Sequence, residues 1–330
     1  MVLCAGHGAE GVKVLRDILI LGLAVTAQAL LTQAPPVPPS ERPFQLSTTA
    51  ELVLLDVSVE TAEGEHVWNL KKEDFKVYED GKLQHITHFA SDDVPVTVGL
   101  VIDTSGSMRP KYDHMVTAAM AFIKASNRAD EVFVVNFGDR VTHGLPDNLP
   151  FSSDLAQLRA ALATGRPAGR TALHDAMVYS LTHLQKGKCE RKALMLVSDG
   201  GDNSSTHLEA EVMRMVRESR ATIYTIGLFD AEDHDRNPGL LRRLAQMSGG
   251  EAFLPESLEQ VGNICQQIAS DIRTRYTIGY VPVRSGEQGA SRKIRVTVAT
   301  PGGKKLAVHT RTSYDLPPSH ALQPSRKTGV

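Results

Sequence analysis

Four near-continuous apolar runs constrain this chain more than anything else in it: Val98-Gly99-Leu100-Val101-Ile102, Val132-Phe133-Val134-Val135, Ala193-Leu194-Met195-Leu196-Val197 and Thr222-Ile223-Tyr224-Thr225-Ile226. A strand that alternates polar and apolar residues has one wet face, whereas a strand apolar throughout must be covered on both. Between the runs the spacing changes to that of amphipathic helices, over 114–125, 155–162, 172–184, 208–217, 240–247 and 258–272. Buried strands separated by helices predict an α/β fold of the doubly wound, Rossmann-like type, a mostly parallel sheet with helices on both faces.

The flanks read differently. From Phe44 to Ala90 short alternating stretches, Leu52 to Val59, Phe75 to Tyr78 and His85 to Phe89, are broken by turns at Glu63-Gly64-Glu65 and Glu79-Asp80-Gly81-Lys82. They predict a small β-module too short to bury a core alone, with Trp68 and Phe75 inside it. Past Arg275 strands return over 276–283, 292–299 and 304–310, with Pro301-Gly302-Gly303 as a hairpin turn, and these can add to the same module. The organisation predicted is a signal peptide at 1–29, a proline-rich linker at 30–43, the β-module at 44–92, the α/β domain at 93–273, C-terminal strands at 274–316 and a tail without apolar periodicity at 317–330.

The leader reading rests on Lys13 and Arg16, an apolar run from Ile18 to Val25, and Ala27-Gln28-Ala29 as an A-x-A-like cleavage site. Glu10 and Asp17 sit badly in it, and translation from Val12 or Val14 would leave a more conventional leader. The run is short for a retained membrane anchor, which is the alternative. A net charge of -2 with interspersed signs gives no footprint for nucleic acid. Three cysteines without CxxC spacing exclude a disulfide scaffold, and Cys189 and Cys265 read as buried thiols rather than a bridge.

In an open parallel sheet, ligands sit outside the carboxyl ends of the strands. Asp103, Ser105 and Ser107 follow the first run, Thr171 comes before a helix after the loop 165–170, and Asp199 ends the third. All five offer oxygen and none nitrogen or sulfur, which suits Mg²⁺, or Mn²⁺ or Ca²⁺, rather than zinc or copper. Gly106 and Gly200 would let the backbone turn around the ion. The basic Arg109, Lys111 and Arg170 flank the site, where they would steer an acidic partner or form a solvated rim.

This set resembles the metal-ion-dependent adhesion site of von Willebrand factor A domains, a D-x-S-x-S followed by a distant Thr and an Asp, and 96–272 as a whole resembles that domain. The resemblance implies that Ser105 and Ser107 coordinate the metal directly, Thr171 directly or through water, and Asp103 and Asp199 largely through water. Only two carboxylates among five ligands would leave the ion underneutralised and open to a partner's carboxylate. Leu70 to Lys82, Asp199-Gly200-Gly201-Asp202-Asn203-Ser204 and Tyr276-Thr277-Ile278-Gly279-Tyr280 extend the resemblance to the VWFA-related family best known from Acidobacteria, departing from it where Thr312-Ser313-Tyr314 replaces a Gly-Tyr ending.

Function follows as an expectation: an exported, secreted or periplasmic, non-enzymatic protein that binds an acidic residue of a protein partner through its cation. A structural envelope protein in which the metal only stabilises loops is the alternative, and a Mg²⁺-dependent phosphotransfer enzyme a weaker one. The second acid of a D-x-D nucleophile is here Ser105, and no Walker-type loop is present. His174 and Asp175 suggest activation of Ser105 as a nucleophile, but no G-x-S-x-G elbow accompanies them. Asp202, Asn203 and Ser204 read as caps of the helix that follows. Mass spectrometry of the natural protein should find a mature N-terminus near Leu30 outside the cytoplasm; an intact N-terminus in the soluble cytosolic fraction would reverse the export reading.

Overall fold

A computed structural model describes residues 52–229, 236–282, 291–299 and 306–315. The leader, the proline-rich linker, the turn Pro301-Gly302-Gly303 and the tail lie outside the described residues. In chain order the described elements begin with β1 (Val53–Glu60), β2 (Phe75–Glu79), β3 (Lys82–Gln84), β4 (Ile86–Ala90) and β5 (Val96–Asp103). Then come α1 (Tyr112–Ala125), β6 (Glu131–Phe137), β7 (Val141–His143), α2 (Leu155–Ala163), α3 (Leu173–Leu184), β8 (Arg191–Ser198), α4 (Glu209–Glu218) and β9 (Thr222–Gly227). The described elements end with α5 (Pro238–Ser248), β10 (Ala252–Phe253), α6 (Val261–Arg273), β11 (Tyr276–Tyr280), β12 (Ser291–Val298), β13 (Ala307–His309) and β14 (Ser313–Asp315).

The four apolar runs are β5, β6, β8 and β9, neighbours in a six-stranded sheet of order β10-β9-β8-β5-β6-β7. All pairings are parallel except β6 with β7. Every residue of β5 is buried, as continuous apolarity requires of a central strand. Helices α1 and α6 pack together, with α2 against α1; α4 packs against α3 and α5. From β5 the chain moves outward to β6, then returns to the other side of β5 to lay down β8. The switch point therefore lies between the carboxyl ends of β5 and β8, where Asp103 and Asp199 are.

The N- and C-terminal strands interleave rather than stack. Antiparallel β11 lies between β1 and β4, and β13 pairs on the outer side of β1. In a second sheet β12 lies between β14 and β2, with β3 beyond. The two sheets share one apolar core that includes Leu55, Val57, Phe75, Val77, Tyr276, Ile278, Ile294 and Tyr314. The β2–β3 hairpin turns through Asp80 and Gly81, at φ 47° and 80°, the doubly positive conformation that matches the twist of paired strands. Tyr280 and Tyr314 donate to the same oxygen of buried Glu79, at 2.7 and 2.8 Å, so the departing Thr312-Ser313-Tyr314 sequence still closes its edge.

Trp68 is a correction to the sequence reading: it is 62% exposed, while Phe75 is buried against Phe89 and Tyr276. It lies in the irregular segment after β1, where no strand register turns it inward. Cys189 and Cys265 are free thiols, Cys265 buried and its thiol pushed up to about 12 by desolvation. Among the described residues no helix is long and apolar enough to cross a membrane.

Gly99 shows how tightly the central sheet is packed. A Cβ there would lie 2.4 Å from Phe133 of β6 and 2.5 Å from Leu194 of β8, both fully buried. Gly99→Ala is expected to lower the unfolding free energy by roughly 1–3 kcal/mol through overpacking, read as a lower urea midpoint at unchanged slope.

Candidate functional site

The site is built on one buried carboxylate. Asp103 ends β5 with no solvent exposure. Its Oδ1 accepts from the Ser105 amide at 2.8 Å, which turns the chain sharply out of the strand, and its Oδ2 accepts from Ser198 Oγ at 2.6 Å. Ser198 in turn accepts from the Gly200 amide at 3.0 Å, so a single carboxylate sets the departure of both loops. Parallel pairing of β5 with β8, Ile102 opposite Val197, brings the two together.

Above Asp103 runs a chain of hydroxyls. Ser105 Oγ lies 3.0 Å from Ser107 Oγ, and Ser107 donates to Asp199 Oδ2 at 2.7 Å. Asp199 Oδ1 accepts from the Gly201 amide at 3.0 Å. Ser105 and Asp199 are buried, Ser107 half-buried and Gly106 exposed, so the site opens outward past Gly106 and Ser107. Gly200 has φ 80°, and a Cβ there would meet the Asn237 carbonyl at 2.6 Å. Gly106 serves differently from the expected turn: its backbone is ordinary, but its amide donates to the Gly169 carbonyl at 3.1 Å, holding the 165–170 loop against the Asp103 loop.

Thr171 follows that contact. Its amide donates to Asn203 Oδ1 at 2.9 Å and its carbonyl accepts from the Asn203 and Ser204 amides, tying it to the loop after Asp199. Asp103, Ser105, Ser107 and Asp199 are thus joined by side-chain and amide hydrogen bonds, with Thr171 anchored through its backbone. Sequence reasoning missed Ser198 and gave Asn203 to the following helix as a cap, whereas both position these groups. A polar residue closing an otherwise apolar strand next to Asp199 was the available signal for Ser198.

Two expectations are corrected. Asp202, Asn203 and Ser204 do not cap the following helix, whose N-cap, Leu208, has no side-chain hydrogen bond. Asp202 and Ser205 instead cap α3 from across the loop, Asp202 Oδ1 accepting from the His174 amide and Ser205 Oγ from the Asp175 amide. Lys111 is not on the rim: it is 3% exposed, and its ammonium donates to the Leu228 carbonyl at 2.8 Å beyond the end of β9. Arg109 and Arg170 are exposed at the site's edge. Asp175 is spoken for, accepting from the Thr206 and His207 amides and from His207 Nδ1. Partial burial works to raise its carboxyl, yet these bonds hold it below the usual range.

Burial, followed by repulsion from Asp199, pushes the Asp103 carboxyl from 3.8 up to about 6 despite the bonds from Ser105 and Ser198. An acid raised in this way binds protons better folded than unfolded. Its ionised form therefore costs the cation-free fold stability above about 6, and the cost is relieved as pH falls from 6 toward 3.8. Asp103→Asn keeps the shape and the Ser105 bond. In EDTA it should match or exceed the parent's stability at neutral pH and remove roughly 2–3 kcal/mol of pH dependence, measured by urea unfolding across this window. An unchanged pH profile in the variant would show that Asp103 is not the titrating group.

Comparison with known proteins agrees with this architecture. The sequence profile of the von Willebrand factor type A domain matches residues 97–267, more than half of the chain. Comparison with curated proteins yields no match. Among solved structures, a von Willebrand factor type A protein from Catenulispora acidiphila is 14% identical, with 82% of this chain and 75% of that one covered and a TM-score of 0.49. Proximal thread matrix protein 1 from the mussel byssus, with a zinc-occupied MIDAS motif, is 17% identical over 60% of this chain and 50% of that one, TM-score 0.48. The vWF domain of the type V pili tip protein Mfa5 from Porphyromonas gingivalis is 14% identical over 59% and 98%, TM-score 0.47. These comparisons reach the domain family and not the narrower group known from Acidobacteria. By its sequence profile and its doubly wound fold, the chain belongs to the von Willebrand factor type A domain family.

Proposed function

We infer that this protein binds an acidic residue of a protein partner through one divalent cation held by Asp103, Ser105, Ser107, Thr171 and Asp199, and that it does so outside the cytoplasm. The observation that carries the reading is the junction of two carboxylates and two serine hydroxyls at the switch point, with Asp103 desolvated and repelled by Asp199. Such a cluster is short of positive charge. A hard cation supplies it, and an all-oxygen donor set suits Mg²⁺ or Mn²⁺.

Each side chain has a separable role in this reading. Ser105 and Ser107, already within hydrogen-bond distance of each other, and Ser107 also of Asp199, offer neutral oxygens to the ion. Asp103 lies beneath them, fully buried, where it orients the Ser105 loop and balances charge from below. Thr171 sits on the loop that Gly106 and Asn203 hold in place. Three of the five donors are neutral hydroxyls and both carboxylates would reach the ion largely through water, so an incoming carboxylate in direct contact gains more here than at a carboxylate-rich site. Arg109 and Arg170 at the edge favour an acidic approach, in the manner of steering rather than of tight binding. An exported location rests on the leader-like N-terminus alone. Among the described residues no nucleophile–base pair is set up at this site: Ser105 bonds Ser107, Ser107 bonds Asp199, and Asp175 is engaged by the 206–207 backbone.

The test is partner capture from an envelope extract by the purified chain in Mg²⁺ and in EDTA, repeated with Asp199→Ala and Thr171→Ala. Calorimetry should show Mg²⁺ or Mn²⁺ affinity falling by about 10–100-fold or more in Asp199→Ala. Capture should be lost in EDTA and in that variant, and Thr171→Ala should weaken capture far more than it lowers the thermal midpoint. Equal capture in all four conditions would place the binding on another surface.

A further inference from the structure

A second cluster of metal-ligating side chains lies away from the adhesion-type site, where the small sheets meet the α/β domain. Glu60 is the last residue of β1, and its backbone bridges to His66 across the tight turn 61–65. Asp271 lies on α6. One oxygen or nitrogen from each of Glu60, His66 and Asp271 lies within 4.8 Å of the other two. His66 Nδ1 is 3.5 Å from Glu60 Oε1 and 3.7 Å from Asp271 Oδ1, too far for good hydrogen bonds.

The separations suit a shared ion better than a direct contact. A tetrahedral zinc with bonds of about 2.0–2.1 Å sets its ligand atoms roughly 3.4 Å apart. The donor atoms are also unused: both ring nitrogens of His66 and Oδ1 of Asp271 are buried without a hydrogen-bond partner. The His66 side chain is 10% exposed and Asp271 5%, and buried polar groups are ordinarily satisfied. The buried hydroxyl of Ser58, two residues before Glu60 on β1, likewise lacks a partner.

The surroundings hold these groups in place as outer partners hold metal ligands. Arg275 donates to Asp271 Oδ2 at 2.7 Å, and Tyr224 donates to the same oxygen, which leaves Oδ1 facing His66. His309 Nε2 stands 3.7 Å from the other oxygen of Glu60. Glu60, Glu251 and Asp271 gather around the Arg275 guanidinium. An imidazole among the donors selects a zinc-type ion over magnesium.

The geometry points to Glu60, His66 and Asp271 as a second cation site, of zinc type, that staples β1 and its following turn to helix α6. Trp68, the sole tryptophan of the chain, packs edge-on to His66 with ring centroids 6.4 Å apart and reports on it. The experiment uses the full chain carrying Asp199→Ala, which disables the adhesion-type site, and titrates it with Zn²⁺ alone. Calorimetry should find a single equivalent bound, with a raised thermal midpoint and a change in Trp68 emission that Mg²⁺ does not produce. Adding His66→Gln should weaken zinc binding by about 100-fold or more and abolish both the midpoint shift and the emission change, and Glu60→Gln should weaken binding at least about tenfold. If circular dichroism shows His66→Gln unfolded, Glu60→Gln decides on the same readouts. Zinc bound equally well by the folded variants, or no zinc taken up by the Asp199→Ala chain, would overturn the assignment.

Discussion

A carboxylate with no solvent exposure at the end of a central strand is costly, and the carboxyl end of this sheet is organised around Asp103. Its two oxygens hold the Ser105 amide and the Ser198 hydroxyl, and Ser198 holds the Gly200 amide. The loop after β5 and the loop after β8 therefore leave the sheet in one fixed relation. Ser107 closes the circuit by donating to Asp199. None of this survives a shift in strand register, because a one-residue slip would turn Asp103 away from Ser198. The apolar faces of β5 and β8, packed under helices on both sides, fix that register. Core packing and site geometry are in this sense one constraint.

The flanking sheets are joined to the α/β domain by buried charge as well as by apolar area. Arg275, between α6 and β11, is 2% exposed and donates to Asp271, to the Tyr224 hydroxyl and to the carbonyls of Gly249 and Asp56. Arg191, at the start of β8, reaches the Ile272 and Arg275 carbonyls and Thr277. Removing one partner from such a network leaves an uncompensated charge, typically at a cost of about 3–5 kcal/mol, although the intact network adds little net stability. Its contribution is orientation: guanidinium groups with several fixed acceptors accept one arrangement of β1, β11 and α6.

What was legible in the sequence was what has a period or a chemical signature. The four apolar runs could be nothing but covered strands, and the helical stripes between them set the topology class. Asp103, Ser105, Ser107 and Asp199 could be picked out because polar residues directly after apolar strands stand where such sheets bind ligands. The strands β3, β7 and β10, of two or three residues, are too short to show a period. Lys111 looked like a rim charge from its neighbours, yet the helical turn 106–111 carries it inward to the Leu228 carbonyl, and only the fold brings residues 117 positions apart together. The caps of α3 come from Asp202 and Ser205 for the same reason. Trp68 was placed inside because aromatic residues usually are, a statistical argument with no local pattern behind it.

The two ends of β8 separate the chemistry of this protein into two places. Ser198 and Asp199, at its carboxyl end, belong to the oxygen-lined site, and Arg191, at its amino end, belongs to the junction with the small sheets. Eight residues of parallel strand span about 26 Å, so the two are separated by nearly the depth of the domain. A flanking module attached at the amino end leaves the carboxyl end clear for a partner, whereas the same module packed over the strand-to-helix loops would cover Gly106 and Ser107. The interleaving of β11 between β1 and β4 requires the chain to enter and leave the α/β domain on one side. In a parallel sheet whose first strand enters at its amino end and whose last helix returns there, that side is the one opposite the site.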